Sequence, residues 1–287
     1  MSDLNVHTTA EINALTPITG DLVIDSDLNA VKLYDGAAWK TFTTDATSVP
    51  YQNRWGVSFD GSSDYLSLGD LSTLSSASSF SISMWVDLSN WSGAAIYVPF
   101  TSGTGNSDRV CFYLNSLNEV RFGVNGSVGT CLFNLSTPVD YRNSGWHHLV
   151  GAYNGTDVTL FFDGTQVSTT TSSVPTSTSS TIGNSAAIGR ETWSSSRYYN
   201  GKIDDLAIFD SALDQTAITA LYGGGTPSEV TGAAGYWRMG DDSNDSATSG
   251  GSIATITDSS GNGNDATQGT ASSQPTFSDL TGESIYV

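Results

Sequence analysis

Two adjacent histidines, His147 and His148, stand mid-chain, where a metal-ligand pair or an acid–base couple would be sought first. They lie in Trp146-His-His-Leu-Val-Gly-Ala-Tyr153, whose residues alternate with period two. Neighbours on an extended chain project to opposite faces, so the two imidazoles cannot hold one ion together. His7 is remote in sequence, and His148 reads as a core or inter-strand hydrogen-bonding residue. Glycoside hydrolysis would need two carboxylates facing each other across a sugar. The glutamates Glu11, Glu119, Glu191, Glu229 and Glu283 are dispersed singly, although the abundant aspartates leave an Asp pair open. No nucleophilic triad, phosphate loop or dinucleotide fingerprint is visible, and the chain reads as non-enzymatic.

The elements that must position these residues follow from the same alternation. Trp146, His148, Val150 and Ala152 face away from His147, Leu149, Gly151 and Tyr153, and Val158, Leu160 and Phe162 face away from Thr159, Phe161 and Asp163. Asn154-Gly155 between the two runs supplies the positive φ of a tight turn. Both faces of this hairpin are apolar, so it is expected between two sheets or beside a packed helix. Phe80, Ile82, Met84 and Val86 alternate against Ser81, Ser83, Trp85 and Asp87 as a sandwich strand, and 96–101, a meander over 109–135, 186–189 and 198–209 extend the sheets. Asp214 caps a short helix with Ala217, Ile218, Leu221 and Tyr222 on one face, ended by three glycines. The Ser/Thr-rich stretch 168–180 reads as a surface loop. Cys111 and Cys131 fall on strands separated by a third, roughly 9–10 Å apart, too far for a disulfide, so two buried free thiols are expected.

Composition narrows the partners. Only 14% of residues are charged, yet 29 acidic against 10 basic groups give a net charge of −19. That charge opposes nucleic acid and anionic membrane surfaces. No apolar run reaches membrane length, so no membrane insertion is expected. The first ten residues show no basic, apolar signal peptide, so synthesis in a cytoplasm is expected.

The His-bearing hairpin with its Asn-Gly and Asp-Gly turns resembles the central hairpin of laminin-G-like domains in the concanavalin A-like superfamily. Trp55-Gly-Val-Ser-Phe-Asp-Gly-Ser-Ser-Asp-Tyr-Leu66 and Gly201-Lys-Ile-Asp-Asp-Leu-Ala-Ile-Phe-Asp-Ser-Ala-Leu213 are similar to that family's opening and closing segments, and the resemblance covers 55–225. It implies a mainly β protein: an antiparallel jelly-roll β-sandwich with a small N-terminal β-hairpin module and one short helix, divided at 1–50, 51–225 and 226–287. It also implies a structural Ca2+ ion between opening hairpin and closing strand, held by Asp60 or Asp64 and Asp204 or Asp205, with simple turn capping as the alternative. The segment Asp258–Asn264 is a weaker second calcium candidate. Trp91, Trp193, Tyr198 and Tyr199 lie among Ser and Asn as candidate glycan platforms, unless they are core or interface aromatics.

The two ends carry a second resemblance. Gly20-Asp-Leu-Val-Ile-Asp25 with Lys32-Leu-Tyr-Asp-Gly-Ala-Ala-Trp39 reads as strands 22–24 and 31–34, and is similar to a short β-module near the start of tailed-phage fibre and other virion proteins. Asp25, Asp27 and Asn29 alternate as in a calcium loop, but Ala30 and Gly36 stand where an EF-hand has Gly and Glu, so a hairpin turn is preferred. Gly235-Tyr-Trp-Arg-Met-Gly240 and the Asp258 segment resemble the tail of marine-phage (cyanophage-type) structural proteins; 236–239 is expected to add a strand and the rest to extend outward. These resemblances imply a non-enzymatic virion structural protein of a tailed bacteriophage, as a fibre, tail appendage or capsid decoration. Its location would be the virion, its partners other virion proteins through the termini, its state a homo-oligomer with a trimer favoured, and its ligand a host surface glycan. A lectin and a polysaccharide depolymerase are the alternatives, because a scaffold does not fix a function.

Overall fold

The alternating runs fold as strands. The structure, a computed structural model, describes residues 5–18, 22–25, 30–34, 36–42, 53–93, 96–105, 107–125, 130–193, 196–230, 232–283 and 285. The chain divides into two compact units, Met1–Gln52 and Asn53–Val287. Among the described residues no helix is long and apolar enough to cross a membrane.

The first unit holds β1 (Asn5–His7), α1 (Thr9–Ala14), β2 (Leu22–Asp25), β3 (Ala30–Tyr34) and β4 (Trp39–Phe42), with sheet order β1-β2-β3-β4. The expected hairpin is β2–β3, and β1 joins it in parallel. Helix α1 starts in a capping box: Glu11 N–H donates to Thr8 Oγ1 at 3.3 Å, and Thr8 N–H donates to Glu11 Oε2 at 2.8 Å. Asp27 and Asn29 lie outside the described residues.

The second unit begins with β5 (Trp55–Asp60), β6 (Leu66–Gly69), β7 (Phe80–Asp87), β8 (Tyr97–Gly105), β9 (Asp108–Leu114), β10 (Glu119–Val124) and β11 (Thr130–Asn134). It continues with β12 (Trp146–Tyr153), β13 (Val158–Phe162), β14 (Thr165–Thr170), β15 (Ala186–Ile188), β16 (Asn200–Phe209), α2 (Gln215–Tyr222) and α3 (Pro227–Val230). Last come β17 (Gly235–Trp237), β18 (Thr255–Ile256), β19 (Ala266–Thr267) and β20 (Thr276–Asp279). One sheet runs β14-β13-β12-β7-β16-β5-β20, with β17 also on β16; the other runs β11-β10-β9-β8-β15-β6-β19-β18. Their pairings are antiparallel, and the inner faces meet in a core that includes Phe80, Met84, Leu149 and Ile208 from the first and Phe100, Phe112, Phe122 and Ile188 from the second. Gly151 is part of this fit, because a Cβ there would stand 2.4 Å from the Phe122 ring of the opposite sheet.

The hairpin β12–β13 is covered on both sides, as its pattern requires. Its other face, with Val150, Ala152 and Phe161, packs against Ile218 and Leu221 of α2. The outer face of β9–β11 carries no helix among the described residues, and this difference decides where a ligand has access.

Three expectations need correction. Residues 226–287 are not an appendage: β17 and β20 join the first sheet, β18 and β19 the second, and Trp237, Met239, Ile256, Ala266 and Phe277 enter the core. Short helices are not confined to one, since α1 and α3 accompany α2. The stretch 168–180 is only partly loop: β14 reaches Thr170, and Thr178 is buried with Oγ1 donating to the Leu74 carbonyl at 2.6 Å.

Candidate functional site

His147 and His148 point to opposite faces. His147 Nδ1 lies 2.8 Å from Asp163 Oδ2, and its Nε2 lies 2.8 Å from Ser144 Oγ. A Ser–His–Asp line of these lengths resembles a nucleophilic triad, but Ser144 donates its hydroxyl proton to the Tyr141 carbonyl rather than to the imidazole. The ring is stacked on Phe162 at 4.9 Å. Asp163 also accepts the His148 N–H at 2.9 Å and returns its own N–H to the His148 carbonyl, so the group is a clamp on the hairpin. Cys111 and Cys131 are buried free thiols with β10 between their strands.

The aspartates assigned to calcium form two separate pairs. Asp60 accepts N–H bonds from Ser62, Ser63 and Asp64 at 2.8–3.0 Å, and Asp64 accepts the Asp60 N–H, closing one turn. The register Asn200↔Asp60 and Ile203↔Val57 puts Asp204 beyond Val57, four residues along the pair. That separation is about 13 Å, too far for shared ligation. Asp204 is fully buried and accepts from Asn53 Nδ2 at 2.6 Å, while Asp205 accepts from Tyr236 Oη at 2.7 Å. Burial, reinforced by Asp205, pushes the Asp204 carboxyl well above the usual carboxylate range. Asp258 accepts the N–H groups of Tyr236, Ser260 and Asn264, so its loop pins β17. Among the described residues no three His, Cys, Asp or Glu side chains are arranged to hold a metal ion. The four-aspartate calcium set does not fit.

The aromatic candidates separate as well. Trp91 (1% exposed) and Tyr199 (0%) are core residues, with Tyr199 Oη donating to the Asp87 carbonyl at 2.7 Å; neither can stack on a sugar. Tyr198 is half-buried, bridged to Arg190. Trp193 is the one placed usefully: it packs against Val98, Cys111 and Tyr113 on the open sheet face, with the Arg109 guanidinium 4.6 Å from its ring centre.

That face carries a cavity of about 480 Å³ whose walls include Arg109, Tyr113, Asn115, Leu117, Arg121 and Arg197. Strand alternation builds it: Val110, Phe112 and Leu114 enter the core, so Arg109, Cys111 and Tyr113 project outward, and Arg121 follows on β10. Tyr113 Oη donates to Glu191 Oε1 at 2.6 Å, and Arg197 Nη1 donates to the same oxygen at 2.8 Å. Glu119 Oε2 accepts from Arg121 Nε and Nη2 at 3.0 and 2.7 Å. Burial pushes the Cys111 thiol up to about 11 and the Tyr113 phenol far above its ordinary value, so both stay protonated at neutral pH. Glu119 is partly buried, which raises its pKa, but Asn115 and Arg121 outweigh that and hold it ionised. The wall therefore offers hydrogen-bond donors and fixed charge. Sequence reasoning missed these arginines; for Arg109 and Arg121 the signal was their place on the outward register of the meander in a chain with 10 basic residues.

The Laminin_G_3 family, described as the concanavalin A-like lectin/glucanases superfamily, matches residues 60–219. The chain belongs to this family. The family match stops short of β17–β20, which the concanavalin A-like sandwich here nonetheless contains. A candidate carbohydrate-binding protein from Bacteroides ovatus is similar in fold at TM-score 0.54 and 14% identity, over 79% of this chain and 60% of that one. A native heptameric SAP-like pentraxin from Limulus polyphemus matches at TM-score 0.47 and 16% identity, over 61% of this chain and 83% of that one. Mouse laminin α1 domains LG4-5 match at TM-score 0.44 and 17% identity, over 64% of this chain and 52% of that one. No curated protein matches the chain in sequence.

Proposed function

We propose that the protein is a non-catalytic glycan-binding component of a tailed-phage virion, whose sandwich presents the cavity on β9–β11 to a host surface glycan. The cavity carries the reading: hydrogen-bond donors, an aromatic wall and about 480 Å³ lie on the helix-free face of the sandwich. The Bacteroides ovatus protein with this fold bears a carbohydrate-binding description, which makes a glycan the first ligand to test. Absence of catalysis is favoured by the two glutamates near the cavity, each engaged by an arginine. The virion context rests on the resemblance of the amino-terminal pattern, now a separate unit Met1–Gln52 that would attach to other virion proteins as a symmetric oligomer, a trimer by preference.

Immobilised surface polysaccharides from candidate hosts should retain the full chain without release of reducing ends over long incubation. Retention by none of them sinks the adhesive role, and released reducing ends sink the non-catalytic one. Mass spectrometry of purified particles should find the chain; its absence removes the virion assignment.

A further inference from the structure

Resting on the glycan-binding reading above, we infer that the cavity on β9–β11 selects acidic sugars, and that a sugar carboxylate docks on its arginines. Three of the chain's 10 basic residues, Arg109, Arg121 and Arg197, line this one cavity in a molecule of net charge −19. Scattered basic residues in an acidic protein need no ligand; three on one wall are a local reversal of sign. Arg121 is paired with Glu119 and Arg197 with Glu191, the latter carboxylate wholly buried.

The pairing geometry leaves donors open. Arg197 gives Nη1 to Glu191, and among the described residues nothing pairs with its Nε–Nη2 edge, the edge that meets a planar carboxylate two-to-two, on a side chain 41% exposed. Arg121 spends Nε and Nη2 on Glu119, which leaves Nη1 on a side chain 37% exposed. The buried Glu191, held by Tyr113 and Arg197, thus acts as an anchor that aims Arg197 rather than as a cancelling charge at the surface.

The rest of the wall argues for a sugar over a bare anion. Leu117 (62% exposed) and Leu132 (47%) stand at the cavity as large exposed apolar side chains, suited to the C–H face of a pyranose ring. The exposed Ser116 supplies a hydroxyl for ring hydroxyls, on a turn held by Asn115. A polyanionic nucleic acid is disfavoured by the charge of the whole molecule.

The test is a panel of oligosaccharides containing uronic or ulosonic acids, each paired with its neutral, carboxyl-reduced form and with a counterpart that carries a sulfate ester in place of the carboxylate, titrated against the full chain by calorimetry. Carboxylated members should bind, reduction should weaken binding by about tenfold or more, and sulfated members should fall between. Arg197→Lys keeps the charge beside Glu191 but loses the planar edge, so it should erase most of the preference at unchanged melting temperature. Arg121→Gln should weaken acidic members several-fold and their carboxyl-reduced forms by a smaller factor. Equal binding of acidic and reduced forms overturns the inference while glycan binding stands, and equal binding of sulfated and carboxylated forms overturns the carboxylate assignment. Binding of no member overturns this inference and the adhesive function together.

Discussion

His148 is 1% exposed, with its ring centre 5.0 Å from that of Trp85 and its Nε2 2.8 Å from Ser83 Oγ. Its buried Nδ1 has no hydrogen-bond partner among the described residues. Burial lowers its pKa from 6.5 to about 4, and Asp163 only partly opposes that. A lowered folded-state value means stability that is present above pH 6.5 and lost as pH falls through 4. At about 1.4 kcal/mol per tenfold change in proton affinity, the loss is about 3 kcal/mol. Asp241 works in the opposite direction. Burial raises it from 3.8 to about 6 despite N–H bonds from Trp55 and Arg54, so its contribution is present below 3.8 and lost as pH rises through 6. The two windows overlap with opposite sign, and the raised Asp64 and Asp204 carboxyls act in the same direction as Asp241. Replacing His148 with Gln, which cannot titrate, should unmask these raised carboxyls and make the urea midpoint rise from pH 7 to pH 4. An unchanged pH profile would show that His148 is not neutral in the fold.

At the scale of elements, the hairpin β12–β13 depends on Asp163, which occupies a left-handed conformation at φ 48 and ties both histidines. Asp163→Ala removes two charged hydrogen bonds and adds backbone strain, so it should cost about 3 kcal/mol, measured as a fall in urea midpoint at constant m. Asp163→Asn, which tolerates that conformation, should recover much of the loss; equal damage from both would assign the effect to charge alone. This hairpin was legible in the sequence because its runs are long, alternate strictly and end in Asn-Gly. The β18 and β19 strands were not, since two residues each give no period to read, and only their partners β19 and β6 make them strands. The cavity was barely legible. Trp193, which was singled out, packs beside it against Cys111 and Tyr113, while Arg197 and Glu191 come from a segment whose course over β9 is set by long-range packing rather than by local pattern. Truncation after Gly225 removes β17–β20 and leaves the β5 edge without β20, so the shortened chain should show no cooperative thermal transition by circular dichroism. Removing Met1–Gln52 should leave one, because that segment is a separate unit.

For the whole molecule, 29 acidic and 10 basic residues repel one another at neutral pH, and the surface ion pairs among them contribute little. Salt acts on the fold mainly by screening that repulsion. The melting temperature at pH 7 should therefore climb as sodium chloride goes from about 0.01 M to about 0.5 M and the Debye length shrinks from about 30 Å to a few ångström. The cavity must respond with the opposite sign. Its arginines attract an acidic sugar through the same Coulomb field, so affinity for a carboxylated oligosaccharide should fall over the salt range that stabilises the fold, while affinity for its carboxyl-reduced form stays flat. Melting curves and titrations on one salt series separate the two effects without any mutation. If the melting temperature and the acidic-sugar affinity moved together, salt would be acting through the folded population alone, and the local reversal of charge at Arg109, Arg121 and Arg197 would have no part in recognition.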